Sequence, residues 1–198
     1  LGDVYKRQVE YLDDTIKSPE EVGRLGSAPV IGFIPSIQQS GNNGRQGVYT
    51  LENPRSPIAE AFRSLRTNIE FAAIPADLKT LLVTSSGPKE GKSTIAANLA
   101  AIMVQGGKTV AVVDADMRRP FLHKFYNFEN RLGLSEYFRG EVRLEDTFKY
   151  VDPTRRLIAI PSGKLPPNPA ELLNSPKMQV LLNDLVKQVD FIIVDSPP

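Results

Sequence analysis

The sequence TLLVTSSGPKEGKSTIAANLAAIMVQ, residues 80–105, decides the fold predicted for this chain. Residues 80–85 are a short apolar run of the kind found in buried strands. Residues 93–105 have the composition of a helix that ends at the glycine pair following it. A strand, a glycine-containing loop and a helix in this order are typical of nucleotide-binding α/β domains.

The loop has the spacing of a Walker A motif, with serine in place of its first glycine. Its amides and the helix N-terminus form an anion cradle that a phosphate can approach closely. We expect Lys92 to reach the β- and γ-phosphates, Ser93 to bind Mg²⁺ and Thr94 to support the α-phosphate. The alternative is a glycine-rich turn with a helix-capping serine. The candidate nucleotide-binding residues are Ser86, Gly87, Pro88, Lys89, Glu90, Gly91, Lys92, Ser93 and Thr94.

Aspartates follow two further predicted strands, residues 109–114 and 191–194. In an extended segment Asp114 and Asp116 point the same way, roughly 7 Å apart, so they repel unless a cation or hydrogen-bond donors lie between them. Mg²⁺ would supply that cation. The alternative is that these aspartates only cap turns. The predicted catalytic residues are Lys92, Asp114, Asp116 and Asp195, and the predicted metal ligands are Ser93, Asp116 and Asp195.

Helical segments alternate with the predicted strands along the chain. One helix begins at Ser56, before a proline, and another helical region begins at Asn168 and restarts at Ser175. A further strand is predicted at residues 157–161. The first helix has an apolar stripe at helical spacing, formed by Ile58, Phe62, Leu65 and Ile69. This alternation predicts an α/β fold of the P-loop NTPase type, with a mainly parallel sheet and helices on both faces.

Composition divides the chain into four parts. Residues 1–8 match nothing that follows and are interpreted as a candidate non-native leader. Residues 9–35 form an arm, and residues 36–50, rich in Gly, Asn, Gln and Ser, are predicted to be a flexible linker. Residues 51–198 form the P-loop domain. We expect this domain to be incomplete at its C-terminus, because a doubly wound sheet normally continues beyond such a strand.

Composition also excludes several classes of protein. The chain has 198 residues, a net charge of +1 and no cysteine. Interleaved charges argue against a nucleic-acid partner, and the lack of cysteine excludes a disulfide scaffold and fits a cytoplasmic compartment. The longest apolar stretch, residues 95–104, is about ten residues long, whereas a membrane span needs roughly 18. We therefore expect this chain to be soluble.

Three motifs carry a resemblance to the bacterial tyrosine kinases, or BY-kinases. SSGPKEGKST, VVDADMRRP and FIIVDSPP resemble the Walker A, A′ and B motifs of that family. The flanking stretches SPIAEAFRSLRTNI and LPPNPAELLNS resemble family segments that accompany these motifs. Residues 16–35 resemble the segment that follows the second membrane helix of chain-length determinants. The resemblance covers residues 9–198.

The resemblance implies an ATP-dependent protein-tyrosine autokinase that regulates exopolysaccharide or capsule chain length and export. It implies ATP and Mg²⁺ as cofactors, Asp114 as acceptor of the tyrosine hydroxyl proton, and Asp116 and Asp195 as holders of Mg²⁺. Gly87 occupies the place where partition-type and Min-type ATPases carry an additional lysine. That departure favours the kinase branch.

The resemblance also implies partners. Glu60, Arg63 and Arg66 match the E-x-x-R-x-x-R element through which BY-kinases form rings, although helix spacing alone favours a solvated face. The other implied partners are a membrane chain-length-determinant domain, in the same or a separate chain, and a protein tyrosine phosphatase. The implied location is the cytoplasmic face of the bacterial plasma membrane.

Two other functions remain open from the residues. One is a nucleotide-switched ATPase of the partition or Min type, and the other is a kinase-inactive regulatory subunit of the polysaccharide machinery. The six tyrosines are scattered instead of clustered in a C-terminal tail, so we expect little autokinase activity from these 198 residues alone. Arg118 and Arg119 are interpreted as a solvated turn, and His123 receives no role.

Overall fold

The computed structural model describes residues 29–37, 47–74 and 77–198. The chain divides into two compact units, Leu1–Phe33 and Ile34–Pro198, and only residues 29–33 of the first are described. The predicted leader, most of the predicted arm and residues 38–46 of the predicted linker lie outside the described residues. The second unit contains the sheet and the motifs.

The sheet of the second unit has five strands in the spatial order β1-β5-β2-β4-β3. All neighbours pair in parallel except β3, which runs antiparallel to β4. The strands are β1 (Thr80–Val83), β2 (Val110–Asp114), β3 (Lys149–Tyr150), β4 (Leu157–Ile160) and β5 (Phe191–Asp195). The prediction of a mainly parallel sheet is confirmed, whereas the two-residue strand β3 was not predicted because it is too short to show a pattern.

The helices of the second unit vary from one turn to almost five. They are α1 (Tyr49–Glu52), α2 (Pro57–Ala73), α3 (Lys92–Gln105), α4 (Leu122–Phe125), α5 (Leu134–Arg139), α6 (Pro169–Leu173) and α7 (Pro176–Val186), and a 3₁₀ turn covers Glu145–Thr147. Within the part of the chain that the structure describes, no helix combines the length and the apolar character needed to cross a bilayer.

The central strand β2 separates two hydrophobic cores. Val110 and Val112 pack with α2 and α3 on one face of the sheet. Ala111 and Val113 pack with α7 on the other face. Since successive side chains of a strand point to opposite faces, the fully buried run VAVVD requires helices on both sides. This confirms the predicted arrangement of layers.

Helix α2 follows the predicted pattern. Ser56 caps its N-terminus by accepting a hydrogen bond from the amide of Ala59 at 3.1 Å, and Pro57 occupies the first turn. Phe62, Leu65 and Ile69 are buried on the predicted stripe. The stripe packs against α3, the helix that follows the Walker A loop.

The end of the predicted linker requires a correction. Tyr49 and Thr50 were predicted within a flexible segment, but they begin helix α1, and Thr50 is completely buried. Val48, which precedes the helix, has 4% of its surface exposed and belongs to the core beside α3. Composition pointed to a linker because glycine, asparagine and glutamine dominate the stretch, whereas one valine and one threonine make the contacts that order its end.

Candidate functional site

The ends of three parallel strands bring the predicted motifs together. Val83 of β1 is paired in register with Asp195 of β5, and Asp195 is paired with Asp114 of β2. The amide of Ser196 donates to the carbonyl of Val83 at 3.0 Å, and the amide of Ala115 donates to the carbonyl of Asp195 at 2.8 Å. The Walker A loop, Asp114 and Asp195 therefore meet at one edge of the sheet.

Polar groups of the Walker A loop hydrogen-bond to one another. Gly91 has φ 93°, a left-handed conformation that side-chain-bearing residues rarely adopt, and it is the N-cap residue of helix α3. The hydroxyl of Ser86 donates to both carboxylate oxygens of Glu90, at 2.9 and 3.0 Å. The hydroxyl of Ser85 donates to the carbonyl of Gly87 at 2.7 Å. The loop leads directly into the start of α3, where free main-chain amides can bind a phosphate.

Lys92 and Asp116 form a buried ion pair. The Nζ atom of Lys92 lies 3.1 Å from Oδ2 of Asp116, and the two side chains are only 10% and 5% exposed. The other oxygen of Asp116 accepts a hydrogen bond from the amide of Arg119 at 3.0 Å. In this arrangement the ammonium of Lys92, which the Walker A motif assigns to the phosphates, is paired with Asp116.

Asp114 is completely buried beneath the loop that follows β2. Its Oδ2 atom accepts hydrogen bonds from the amides of Phe121 and Leu122, each at 3.1 Å. Its Oδ1 atom has no hydrogen-bond partner among the described residues. Burial, with a further contribution from the charge of Asp195, raises the pKa of Asp114 to about 8. Oδ1 is therefore the unpartnered atom of this carboxylate, and it is buried.

Asp195 is also buried, and neither of its oxygens has a well-aligned hydrogen-bond donor in the described part of the chain. Burial raises its pKa to about 6, although the nearby hydroxyl of Ser93 and ammonium of Lys92 oppose the rise. Two buried carboxylate oxygens without donors fit a divalent cation. Across residues 29–37, 47–74 and 77–198, no three histidine, cysteine or acidic side chains form a ready-made metal cluster.

A cavity of about 740 Å³ opens at this edge of the sheet. Its volume lies within the range of ordinary small-molecule sites. It is lined by Pro88, Lys89, Gly91, Lys92, Ser93, Thr94, Asp116, Arg118, Arg119, Phe121, Pro197 and Pro198. The structure thus brings most of the predicted Walker A residues into one cavity with the predicted metal ligand Asp116.

Several lining residues were missed or assigned another role from the sequence. Arg118 and Arg119, interpreted as a solvated turn, are exposed but lie at the cavity. Phe121, Pro197 and Pro198 also line the cavity, and the sequence predicted no role for them. Their position directly after β2 and β5 was the available signal, because loops at the carboxyl ends of parallel strands surround ligand sites in open α/β sheets.

The predicted interface residues lie on α2 instead of in the cavity. Glu60 is exposed and forms an ion pair with Arg63, which also donates to the carbonyl of Pro54 at 2.6 Å. Arg66 is only 23% exposed and donates to the carbonyl of Ile102, near the end of α3, at 3.2 Å. Arg63 and Arg66 therefore both bond to main-chain carbonyls within the fold, while Glu60 faces outward.

The chain is similar to known nucleotide-dependent proteins over most of its length. The family described as "ATPase MipZ" matches residues 81–198. The tyrosine-protein kinase YwqD of Bacillus subtilis is 39% identical over 158 residues, which are 80% of this chain and 66% of that protein. A putative tyrosine-protein kinase in the cps region of Klebsiella pneumoniae is 34% identical over 92% of this chain and 27% of that protein.

A solved structure agrees with these sequence matches. The kinase domain of the Escherichia coli tyrosine kinase ETK superposes with a TM-score of 0.83 at 30% identity, covering 93% of this chain and 74% of that domain. The chain therefore spans about two thirds of YwqD, about a quarter of the Klebsiella protein and about three quarters of the isolated ETK domain.

Proposed function

This chain belongs to the bacterial tyrosine kinases within the P-loop ATPases, and we propose that it is the nucleotide-binding part of an ATP-dependent protein-tyrosine autokinase. The observation that carries the proposal is the pairing of Lys92 with Asp116 in a cavity of about 740 Å³ at the Walker A loop. Asp195 is buried beside Lys92 and Ser93. A P-loop lysine and carboxylates near a metal position are the parts that phosphoryl transfer requires.

Each residue receives a role from its position. The amides that begin α3 and the ammonium of Lys92 would hold the phosphates, while Ser93, Asp116 and Asp195 would hold Mg²⁺. ATP, when bound, supplies the phosphoryl group that is transferred to a tyrosine hydroxyl. Arg118, Arg119 and Phe121 also line the cavity, and they would contact the rest of the nucleotide or the acceptor.

Asp114 is the proposed acceptor of the tyrosine hydroxyl proton. A pKa of about 8 makes its ionised form a stronger base than an ordinary carboxylate. Its Oδ2 atom is committed to the amides of Phe121 and Leu122, so a hydroxyl would have to approach Oδ1. The proposal therefore names one atom as well as one residue.

The biological setting is proposed from the relatives. We propose that the kinase regulates chain length and export of an exopolysaccharide or capsule, which is supported by the cps region named for the Klebsiella relative. It would act at the cytoplasmic face of the plasma membrane with a chain-length-determinant domain, in the same or a separate chain. A protein tyrosine phosphatase would reverse the modification. Glu60, Arg63 and Arg66 would form the interface of a ring of identical subunits.

A second candidate function is a nucleotide-switched ATPase that phosphorylates no protein. The match of residues 81–198 to the MipZ family favours it. Gly87, at the place where partition-type and Min-type ATPases carry an additional lysine, opposes it. The two functions share ATP binding and differ in whether phosphotyrosine forms.

The experiment that separates them uses the complete gene product. Mg·ATP binding is measured by calorimetry. After incubation with Mg·ATP, hydrolysis is measured as released phosphate and phosphotyrosine by mass spectrometry. The kinase predicts phosphotyrosine in the wild type and none in Lys92→Met. ATP hydrolysis without phosphotyrosine in a protein that binds Mg·ATP would favour the second candidate.

A further inference from the structure

A buried asparagine on α3 connects the Walker A loop to the chain segment that precedes α2. Asn98 is fully buried one turn after Thr94, the last residue of the motif. Its Nδ2 atom donates to the carbonyl of Thr94 at 2.8 Å. Its Oδ1 atom accepts from the amide of Thr50 at 2.9 Å. One side chain therefore contacts the backbone of both segments.

The environment makes these two hydrogen bonds obligatory. Asn98 lies among alanines, leucine, isoleucine and methionine in the most buried part of α3. A buried amide group that loses its partner costs about 1–3 kcal/mol. The amide of Thr50 lies in the first turn of α1, where no carbonyl of that helix can accept it. Asn98 and Thr50 therefore satisfy each other only while the segment is docked.

The same segment has an apolar anchor. Val48 is 4% exposed and packs in the core that contains Phe62 of α2 and Leu99 of α3. The carbonyl of Val48 accepts hydrogen bonds from the amides of Leu51 and Glu52, which closes the short helix behind it. Docking of the segment thus depends on Val48 as well as on Asn98.

We propose that residues 48–52 are a positioning element for the nucleotide site, and that Asn98 is the positioning residue through which they act. With the segment docked, Asn98 fixes the carbonyl of Thr94 and therefore the first turn of α3, whose amides would bind the phosphates. Displacement of the segment leaves Asn98 with one partner and loosens that turn. This rests on the nucleotide binding proposed above and adds its regulation from outside the cavity.

Thermodynamic linkage makes the proposal reciprocal. If docking strengthens nucleotide binding, nucleotide binding must strengthen docking by the same factor. The amide of Thr50 reports docking directly, because its acceptor belongs to α3. If the segment had only a structural role, nucleotide binding would leave its docking unchanged.

The test compares two valine-to-alanine substitutions in the full chain. Val48→Ala weakens the anchor of the segment. Val189→Ala is the matched control, because it removes the same atoms from a residue that is 6% exposed in the core on the opposite face of the sheet.

Calorimetric titration with Mg·ATP is expected to give a Kd at least about 5-fold weaker for Val48→Ala, the lower end of typical coupling between sites. Val189→Ala should bind like the wild type. Hydrogen exchange at the Thr50 amide should slow when Mg·ATP binds, while the amide of Leu185 in α7 should be unaffected.

Equal weakening by Val48→Ala and Val189→Ala would overturn the proposal, because the effect would then be general loosening of the core. Wild-type affinity in folded Val48→Ala, with no change in Thr50 exchange, would overturn it as well. A wild-type chain that does not bind Mg·ATP would instead reject the proposed function, and this is established before any variant is compared.

Discussion

The Nζ atom of Lys92 lies 3.1 Å from Oδ2 of Asp116, and both side chains are almost completely buried. Breaking such a pair leaves an uncompensated charge in a poorly solvated place, which is strongly unfavourable. A nucleotide that uses Lys92 must therefore replace Asp116 as the partner of the lysine, and a cation beside Asp116 would compensate the carboxylate that is released. This relationship makes phosphate binding and metal binding interdependent.

The first prediction concerns Lys92→Met. Loss of a charged hydrogen-bond partner, about 1.5–3 kcal/mol, should weaken Mg·ATP binding by roughly 10- to 150-fold in a calorimetric titration. The change also leaves Asp116 unpaired and should destabilise the nucleotide-free protein. Lys108→Met, beyond the end of α3, is the control and should bind normally. Unchanged affinity in folded Lys92→Met would reject the assignment of the Walker A lysine.

The second prediction concerns Asp116→Asn, which frees Lys92 but removes a metal ligand. Without Mg²⁺, ATP should bind on the order of 10-fold more tightly than to the wild type, because a competing negative charge is lost. With Mg²⁺ present, the half-saturating metal concentration should rise. A variant whose ATP affinity and metal requirement both equal those of the wild type would show that Asp116 neither competes with the phosphates for Lys92 nor binds the metal.

The third prediction concerns Asp114→Asn in the complete gene product. The amide oxygen can still accept from Phe121 and Leu122, so the fold and nucleotide affinity should be retained. Phosphotyrosine formation should fall by about 100-fold or more, because the proton acceptor is lost. Calorimetry and quantitative mass spectrometry on the same preparation separate the two effects. Wild-type phosphorylation would refute the role of Asp114 as a base.

The fourth prediction is the dependence of stability on pH. The pKa of Asp114 is raised from 3.8 to about 8, so between these values the folded protein binds a proton that the unfolded chain has released. Stability is therefore fully present at low pH and is lost as pH rises, by up to about 1.4 kcal/mol per pH unit. Asp195 contributes in the same direction.

Urea unfolding between pH 5 and 8, without nucleotide or Mg²⁺, measures this slope. Asp114→Asn should flatten it, so its stability relative to the wild type should increase with pH. Asp184→Asn removes an exposed carboxylate of α7 and is the control. Identical slopes for the wild type and Asp114→Asn would show that Asp114 titrates normally in the folded protein.

The fifth prediction separates assembly from folding on α2. Glu60→Ala with Arg63→Ala should abolish the proposed ring in sedimentation velocity experiments. It should lower the free energy of unfolding by only about 1 kcal/mol, because the ion pair is exposed and the other loss is the hydrogen bond from Arg63 to the carbonyl of Pro54. Arg66→Ala should lower stability by about 1 kcal/mol, because it loses its hydrogen bond to the carbonyl of Ile102. A Glu60/Arg63 double variant that assembles like the wild type would return these residues to an ordinary solvated face.

Local patterns predicted the fold class and the chemistry of the loop. The Walker A residues are contiguous, and glycine at position 91 is needed for a left-handed conformation that the backbone there adopts. The meeting of Asp114 and Asp195 also followed from the sequence. Each is the last residue of a strand in a parallel sheet, and the carboxyl ends of such strands lie at the same edge. These inferences depend on backbone geometry, which repeats along any chain.

Only the tertiary structure decided which partner each polar group has. The contacts that join different elements are the Lys92–Asp116 ion pair, the hydrogen bonds that Asp114 accepts from two amides, and the hydrogen bonds from Arg66 to Ile102 and from Thr50 to Asn98. Thr50 and Asn98 are 48 residues apart, and the intervening residues have no period that relates them. A strand or helix period places a side chain on a face, but its partner across the core depends on how two elements pack, which is set by the whole buried interior.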